Sequence, residues 1–87
     1  MEIIIGRKGT QRTPITDTTV SREHCKLTIN ADGTYTLENL SINGTFVNGN
    51  SIIRTVVTPV TILRLGANFS VAVRVFLISL VAYIKPR

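Results

Sequence analysis

Ser41-Ile42-Asn43-Gly44-Thr45-Phe46-Val47-Asn48-Gly49 holds two Asn-Gly pairs around a short β-rich run. Asn-Gly is the strongest short turn signal, because both residues tolerate positive φ. The stretch therefore reads as a turn, a very short strand and a second turn. A chain that spends so few residues on a strand before turning again is built from many short strands, and its neighbours follow the same rule.

Upstream, Val20 to Asn30 carries the cleanest period-2 pattern. Cys25, Leu27 and Ile29 face one way, and Lys26, Thr28 and Asn30 the other, as in a half-buried strand. Asp32-Gly33 then turns the chain and Tyr35-Thr36-Leu37 returns, which predicts an antiparallel hairpin. Further back, Ile3-Ile4-Ile5 closed by Gly6 reads as a buried strand. The polar, threonine-rich segment from Lys8 to Thr19 reads as a long loop with a brief strand near Ile15. Downstream, Ile52-Ile53, Val56-Val57 and Val60 to Leu65 are β-branched runs with Pro59 marking an edge or break. Gly66-Ala67-Asn68 is a turn, and Phe69, Val71, Val73 and Val75 alternate with smaller or polar residues as a further strand. No heptad, internal repeat or long amphipathic helix is present. The pattern predicts an all-β fold, a sandwich of two antiparallel sheets.

Two further motifs stand in loop-like sequence: Gly6-Arg7, and Ser21-Arg22-Glu23-His24. A rigid β scaffold presenting Arg, Ser and Asn on its loops suits recognition of a phosphate on a peptide. The order G-R, then S-R-x-H, then S-x-N-G-T-x-x-N-G, with a strand-like run between each pair, resembles the forkhead-associated (FHA) domain family from Ile3 to about Val73. The resemblance implies an FHA-like β-sandwich that binds phosphothreonine in a partner protein. That partner is the substrate of a threonine kinase, and the setting is cytoplasmic signalling. It implies no enzyme activity and no cofactor.

Carried onto this sequence, the family pattern makes Arg7 the main guanidinium donor to the phosphate, Ser21 a hydroxyl donor, and Arg22 a contact to phosphate or peptide backbone. Asn43 bonds the peptide backbone. Gly6 and Gly44 permit tight loop geometry, and His24, Thr45 and Asn48 brace the loops. Ile42 is a departure. Many family members have a polar residue there, whereas Ile42 offers only its backbone N–H. Lys8 either adds charge near a bound anion or is simply solvated, and Arg12 is read as solvated.

Composition sets the remaining bounds. Eighty-seven residues make a single domain, with a core expected over about 3–75. One cysteine excludes an internal disulfide. Adjacent residues on a strand point to opposite faces, so Cys25 and His24 cannot pair as nucleophile and base, and Cys25 is assigned to the core. Paired carboxylates, a metal-ligand cluster and a phosphate-binding glycine loop opening a helix are all missing from the sequence, which argues against an enzyme. The net charge of +5 favours an acidic partner. The cations are scattered among few aromatics, so a nucleic-acid platform is not expected. No apolar run is long enough to span a bilayer. The stretch from Val75 to Ile84 is nearly all apolar. It fits a last strand, a docked helix or a self-association surface, and through the last of these a phosphate-independent interaction domain is the alternative function.

Overall fold

The computed structural model describes residues 1–11 and 14–77. Arg12 and residues 78–84 of the expected self-association surface lie outside the described residues. Strands β1 (Glu2–Ile5), β2 (Cys25–Ile29), β3 (Tyr35–Asn39) and β6 (Arg54–Val57) form one antiparallel sheet in the order β1-β2-β3-β6. Strands β4 (Thr45–Val47), β5 (Asn50–Ser51), β7 (Ile62–Leu65) and β8 (Phe69–Ala72) form the second, in the order β5-β4-β7-β8. The fold is therefore the expected two-sheet sandwich.

Side-chain alternation fills the space between the sheets. Ile3 and Ile5 of β1, Leu27 of β2 and Leu37 of β3 meet Leu63 and Leu65 of β7 in one continuous core. Ile4 is only half-buried, because a period-2 strand turns its middle residue away from the core. The β2–β3 hairpin turns at Gly33, whose φ of 88° suits glycine.

Two expectations are corrected. Ile15 is buried against the core but pairs with no strand; it plugs the sandwich from within the long β1–β2 connection. The last strand ends at Ala72 rather than running to Val75, and residues 73–77 are helical. Its partner β7 begins at Ile62, opposite Ala72, so later residues have no strand to pair with. Instead Val73 N–H donates to Thr61 O at 3.0 Å and Arg74 N–H to Pro59 O at 2.8 Å. Val73 and Phe76, three residues apart and so on one helical face, are both buried.

Register brings three connections to one end. Ile5 stands opposite Cys25, and Cys25 opposite Asn39. The β1–β2 connection and the crossing from β3 to β4 therefore leave the first sheet side by side. Thr45 stands opposite Leu65, which brings the β7–β8 turn to the same place.

Candidate functional site

Backbone contact comes first. Arg7 N–H donates to Ser21 O at 3.1 Å and Lys8 N–H to Arg22 O at 2.9 Å, so segment 6–8 lies directly against segment 21–22. Gly6 is what allows this approach. A Cβ there would collide with Arg22 O and would lie 2.7 Å from Ser21 O. Arg7 is exposed, and its Nε donates to Val20 O at 2.6 Å. That bond fixes the plane of the guanidinium while its two Nη groups make no hydrogen bond to a described residue.

The next layer is a hydroxyl pair. Ser21 Oγ and Ser41 Oγ are 2.5 Å apart. Ser41 Oγ also accepts the N–H of Asn43 at 2.9 Å. Each hydroxyl has one proton to give. When Ser41 gives its proton to Ser21, the Ser21 proton is left for a ligand. Ser41 is buried and held on both sides by Asn39, which donates from Nδ2 to Ser41 O at 2.9 Å and accepts Ser41 N–H on Oδ1 at 3.2 Å. The same Asn39 Oδ1 accepts the hydroxyl of the buried Thr45 at 2.8 Å.

His24 sits under this layer with 0% of its surface exposed. The loops cover the face of the chain that points away from the core at this position. Nδ1 accepts Ser21 N–H at 2.9 Å, so the ring proton is on Nε2, which donates to Gly44 O at 2.7 Å. One imidazole thereby ties the Ser21 loop to the Asn43-Gly44 turn. Burial lowers its pKa below the ordinary histidine value, opposed by the bond to Gly44 O. Burial likewise pushes the Cys25 thiol up to about 12, which leaves it inert as a nucleophile.

The third connection is sewn in through Thr19. Asn43 Nδ2 donates to Thr19 O at 3.0 Å, and Ala67 N–H to Thr19 Oγ at 3.2 Å. Thr19 in turn donates its hydroxyl and its N–H to Asp17, at 2.7 and 2.8 Å, and these two bonds lower the Asp17 pKa. Gly66 N–H donates to Gly44 O at 3.0 Å. Asn43 keeps one amide proton and its Oδ1 for a ligand.

The structure thus brings Gly6, Arg7, Ser21, Arg22, His24, Ile42, Asn43, Gly44 and Thr45 to one end of the sandwich. Arg22 is exposed there and makes no side-chain bond to a described residue. Ile42 is fully solvent-exposed, at 104% of its reference surface. Gly44 takes a φ of 89°. Asn48 is placed elsewhere. It lies past the far end of β4 in the β4–β5 turn with a φ of 52°, and makes no hydrogen bond to these loops. Sequence reasoning missed Ser41, Asn39 and Thr19 as members of the network. Ser41 and Asn39 had local signals, a hydroxyl two residues before a turn asparagine and an amide two residues before that hydroxyl; Thr19 reaches Asn43 and Ala67 across 24 and 48 residues and had none. Among the described residues no group of His, Cys, Asp and Glu is arranged to hold a metal ion.

A small antiparallel sandwich whose loops gather guanidinium, hydroxyl and amide donors at one end has the donor chemistry that suits an anionic, acceptor-rich group. The chain belongs to the FHA domain family, whose model matches residues 3–69. Solved FHA domains share its architecture. One, from work on phosphothreonine-dependent FHA domain interactions, is 32% identical with a TM-score of 0.66 over 75% of this chain and 68% of that one. The FhaA FHA domain, in complex with the intracellular domain of Rv3910, is also 32% identical, with a TM-score of 0.66 over 75% and 71%. The FHA domain of the CT664 protein from Chlamydia trachomatis is 26% identical, with a TM-score of 0.65 over 76% and 68%. No curated protein sequence matches the chain. FHA domains are phosphothreonine-dependent protein-interaction modules. No helix among the described residues is long and apolar enough to cross a membrane.

Proposed function

We propose that this domain binds phosphothreonine in an extended segment of a partner protein, the product of a threonine kinase, and so makes a phosphorylation-dependent contact in cytoplasmic signalling. The observation that carries the reading is the prearranged donor set. Arg7 is locked through Nε on Val20 O, and the Ser21 hydroxyl is backed by Ser41. A phosphate ester carries about −1.5 to −2 charges at neutral pH and offers three strong acceptors, which matches these donors. Arg7 takes the phosphate oxygens, Ser21 and the Ile42 N–H add donors, and the remaining amide groups of Asn43 hold the peptide backbone. Each charge-assisted bond contributes roughly 1.5–3 kcal/mol, and two or three of them, less the ordering of the peptide, give micromolar-class affinity. The loops are braced before any ligand arrives, which reduces the ordering cost on the protein's side.

The test is an NMR amide-shift titration with a degenerate phosphothreonine peptide pool and its unphosphorylated twin. Shifts at Arg7, Ser21, Arg22 and Ile42 to Gly44 with the phosphorylated pool alone support the proposal. Equal shifts with both pools refute it, and so does equal loss of binding in Arg7→Ala and Arg74→Ala. Absence of binding beside a concentration-dependent mass would favour the phosphate-independent association instead.

A further inference from the structure

Beside the proposed phosphate position lies a second basic feature. Lys8, Arg22 and Glu23 wall a hollow of about 430 Å³. Two glycines build it. Gly6 lets segment 6–8 meet the backbone of 21–22. Gly9 closes a tight turn, its N–H donating to Gly6 O at 3.2 Å, and a Cβ there would collide with Ile4 O. Thr10 N–H then donates back to Ile4 O at 2.6 Å. Lys8 is therefore carried on a closed turn whose backbone is bonded to that of Arg22.

The charges in this hollow are uncommitted. Lys26, on the outer face of the first sheet, stands between Glu2 and Glu38 at 3.7 and 3.6 Å. Lys8 and Arg22 have no ion-pair partner among the described residues, and Glu23 pairs with neither. Two exposed cations held side by side repel one another, and an anion between them relieves that repulsion. Arg7 and Ser21, adjacent in the chain to Lys8 and Arg22, occupy the proposed phosphate position, so a ligand seated there runs past the hollow.

We propose that Lys8 and Arg22 form an auxiliary anion subsite that selects phosphopeptides carrying a second anionic side chain, carboxylate or phosphate, close to the phosphothreonine. The inference rests on the phosphothreonine reading of the neighbouring site. Glu23 tempers the subsite. Its carboxylate on the same wall lowers the gain from a ligand anion and leaves neutral-flanked peptides unaffected.

The experiment is fluorescence anisotropy with a singly phosphorylated, neutral-flanked peptide and with its relatives bearing Glu, or a second phosphothreonine, at each flanking position in turn. Wild type, Lys8→Ala and Glu23→Gln are compared. At one or two positions the added anion tightens wild-type binding by about 1.5-fold to fivefold, the range expected of solvent-exposed ion pairs. Lys8→Ala removes that gain and leaves the neutral-flanked peptide bound as before; Glu23→Gln enlarges it; raising the salt shrinks it. A gain from Glu assigns carboxylate recognition, and a gain only from the second phosphate assigns a dianion. Binding of the neutral-flanked peptide with no gain at any position, or with a gain that persists in Lys8→Ala, overturns the subsite and leaves the phosphothreonine reading standing. Failure of every phosphopeptide to bind overturns both.

Discussion

Acidifying the protein through the histidine range should destabilise it by way of one residue. His24 is the chain's single histidine. Its Nδ1 accepts Ser21 N–H and its Nε2–H donates to Gly44 O, so the folded ring is neutral and fully committed. A second ring proton would point at the Ser21 N–H it now accepts. Burial lowers the folded-state pKa below the ordinary value of 6.5. The native protein therefore binds fewer protons than the unfolded chain. The stability conferred by the neutral ring is complete above about pH 6.5 and is lost as pH falls below it. The slope cannot exceed one proton, about 1.4 kcal/mol per pH unit, so the loss between pH 6.5 and 5 is at most about 2 kcal/mol. An 87-residue domain holds only about 4–13 kcal/mol of stability, so this is a large share, equivalent to about 4–8 °C in Tm for each kcal/mol lost. The assay is urea unfolding at a series of pH values, wild type beside His24→Gln, with a native-state NMR measurement of the ring tautomer. Asp17 and Asp32 also have lowered pKa values, and their contribution is lost only below the ordinary carboxylate range, outside this window. Peptide affinity is a poorer readout, because phosphate itself titrates near pH 6. Stability that is flat from pH 7.5 to 5, or the same slope in His24→Gln, would refute the reasoning.

Other outcomes follow from the same network. Ser41→Ala leaves the Asn43 N–H and the Ser21 hydroxyl without their partner; it should cost about 1–3 kcal/mol in chemical denaturation and weaken phosphopeptide binding in the same samples. Gly66→Ala combines a φ of 67° with a Cβ only 2.8 Å from Thr19 Oγ. It should lower stability by more than Gly33→Ala, where φ is 88° but the space is open, and thermal melts of the pair separate close approach from backbone strain. Cys25 should resist alkylation at pH 8 in the native protein and react quickly in denaturant, because its thiol is buried with a pKa near 12. Rapid native labelling, followed by mass spectrometry, would contradict that placement.

The sandwich was legible in the residues because its causes are local. Period-2 alternation through Cys25, Leu27 and Ile29 sets which face is buried, and glycine at 33, 44, 49 and 66 sets where the chain reverses, since each takes a positive φ. The motifs around Arg7, Ser21 and Asn43 could be marked for the same reason, as short polar strings between strands. Less legible were features whose cause lies in another part of the chain. Alternation alone extends the last strand to Val75, yet it stops at Ala72 because β7 offers no partner beyond Ile62. Ile15 reads as a strand residue from its neighbours and is instead a plug in the core. Asn48 carries the same Asn-Gly signature as Asn43 but lies at the other end of β4, whose three residues separate the two turns.

Local propensity therefore established the strands, the turns and the chemical character of the loops. Long-range register established the site. Ile5 meets Cys25, Cys25 meets Asn39, and Thr45 meets Leu65, and those pairings place Arg7, Ser21, Asn43 and Gly66 at one end of the sandwich. The hydrogen bonds that then hold them, His24 to Gly44, Ser21 to Ser41 and Asn43 to Thr19, each span about twenty residues. No local propensity encodes a contact at that separation; it forms only after the sheets have closed and the polar groups beneath the loops have to find partners in one another.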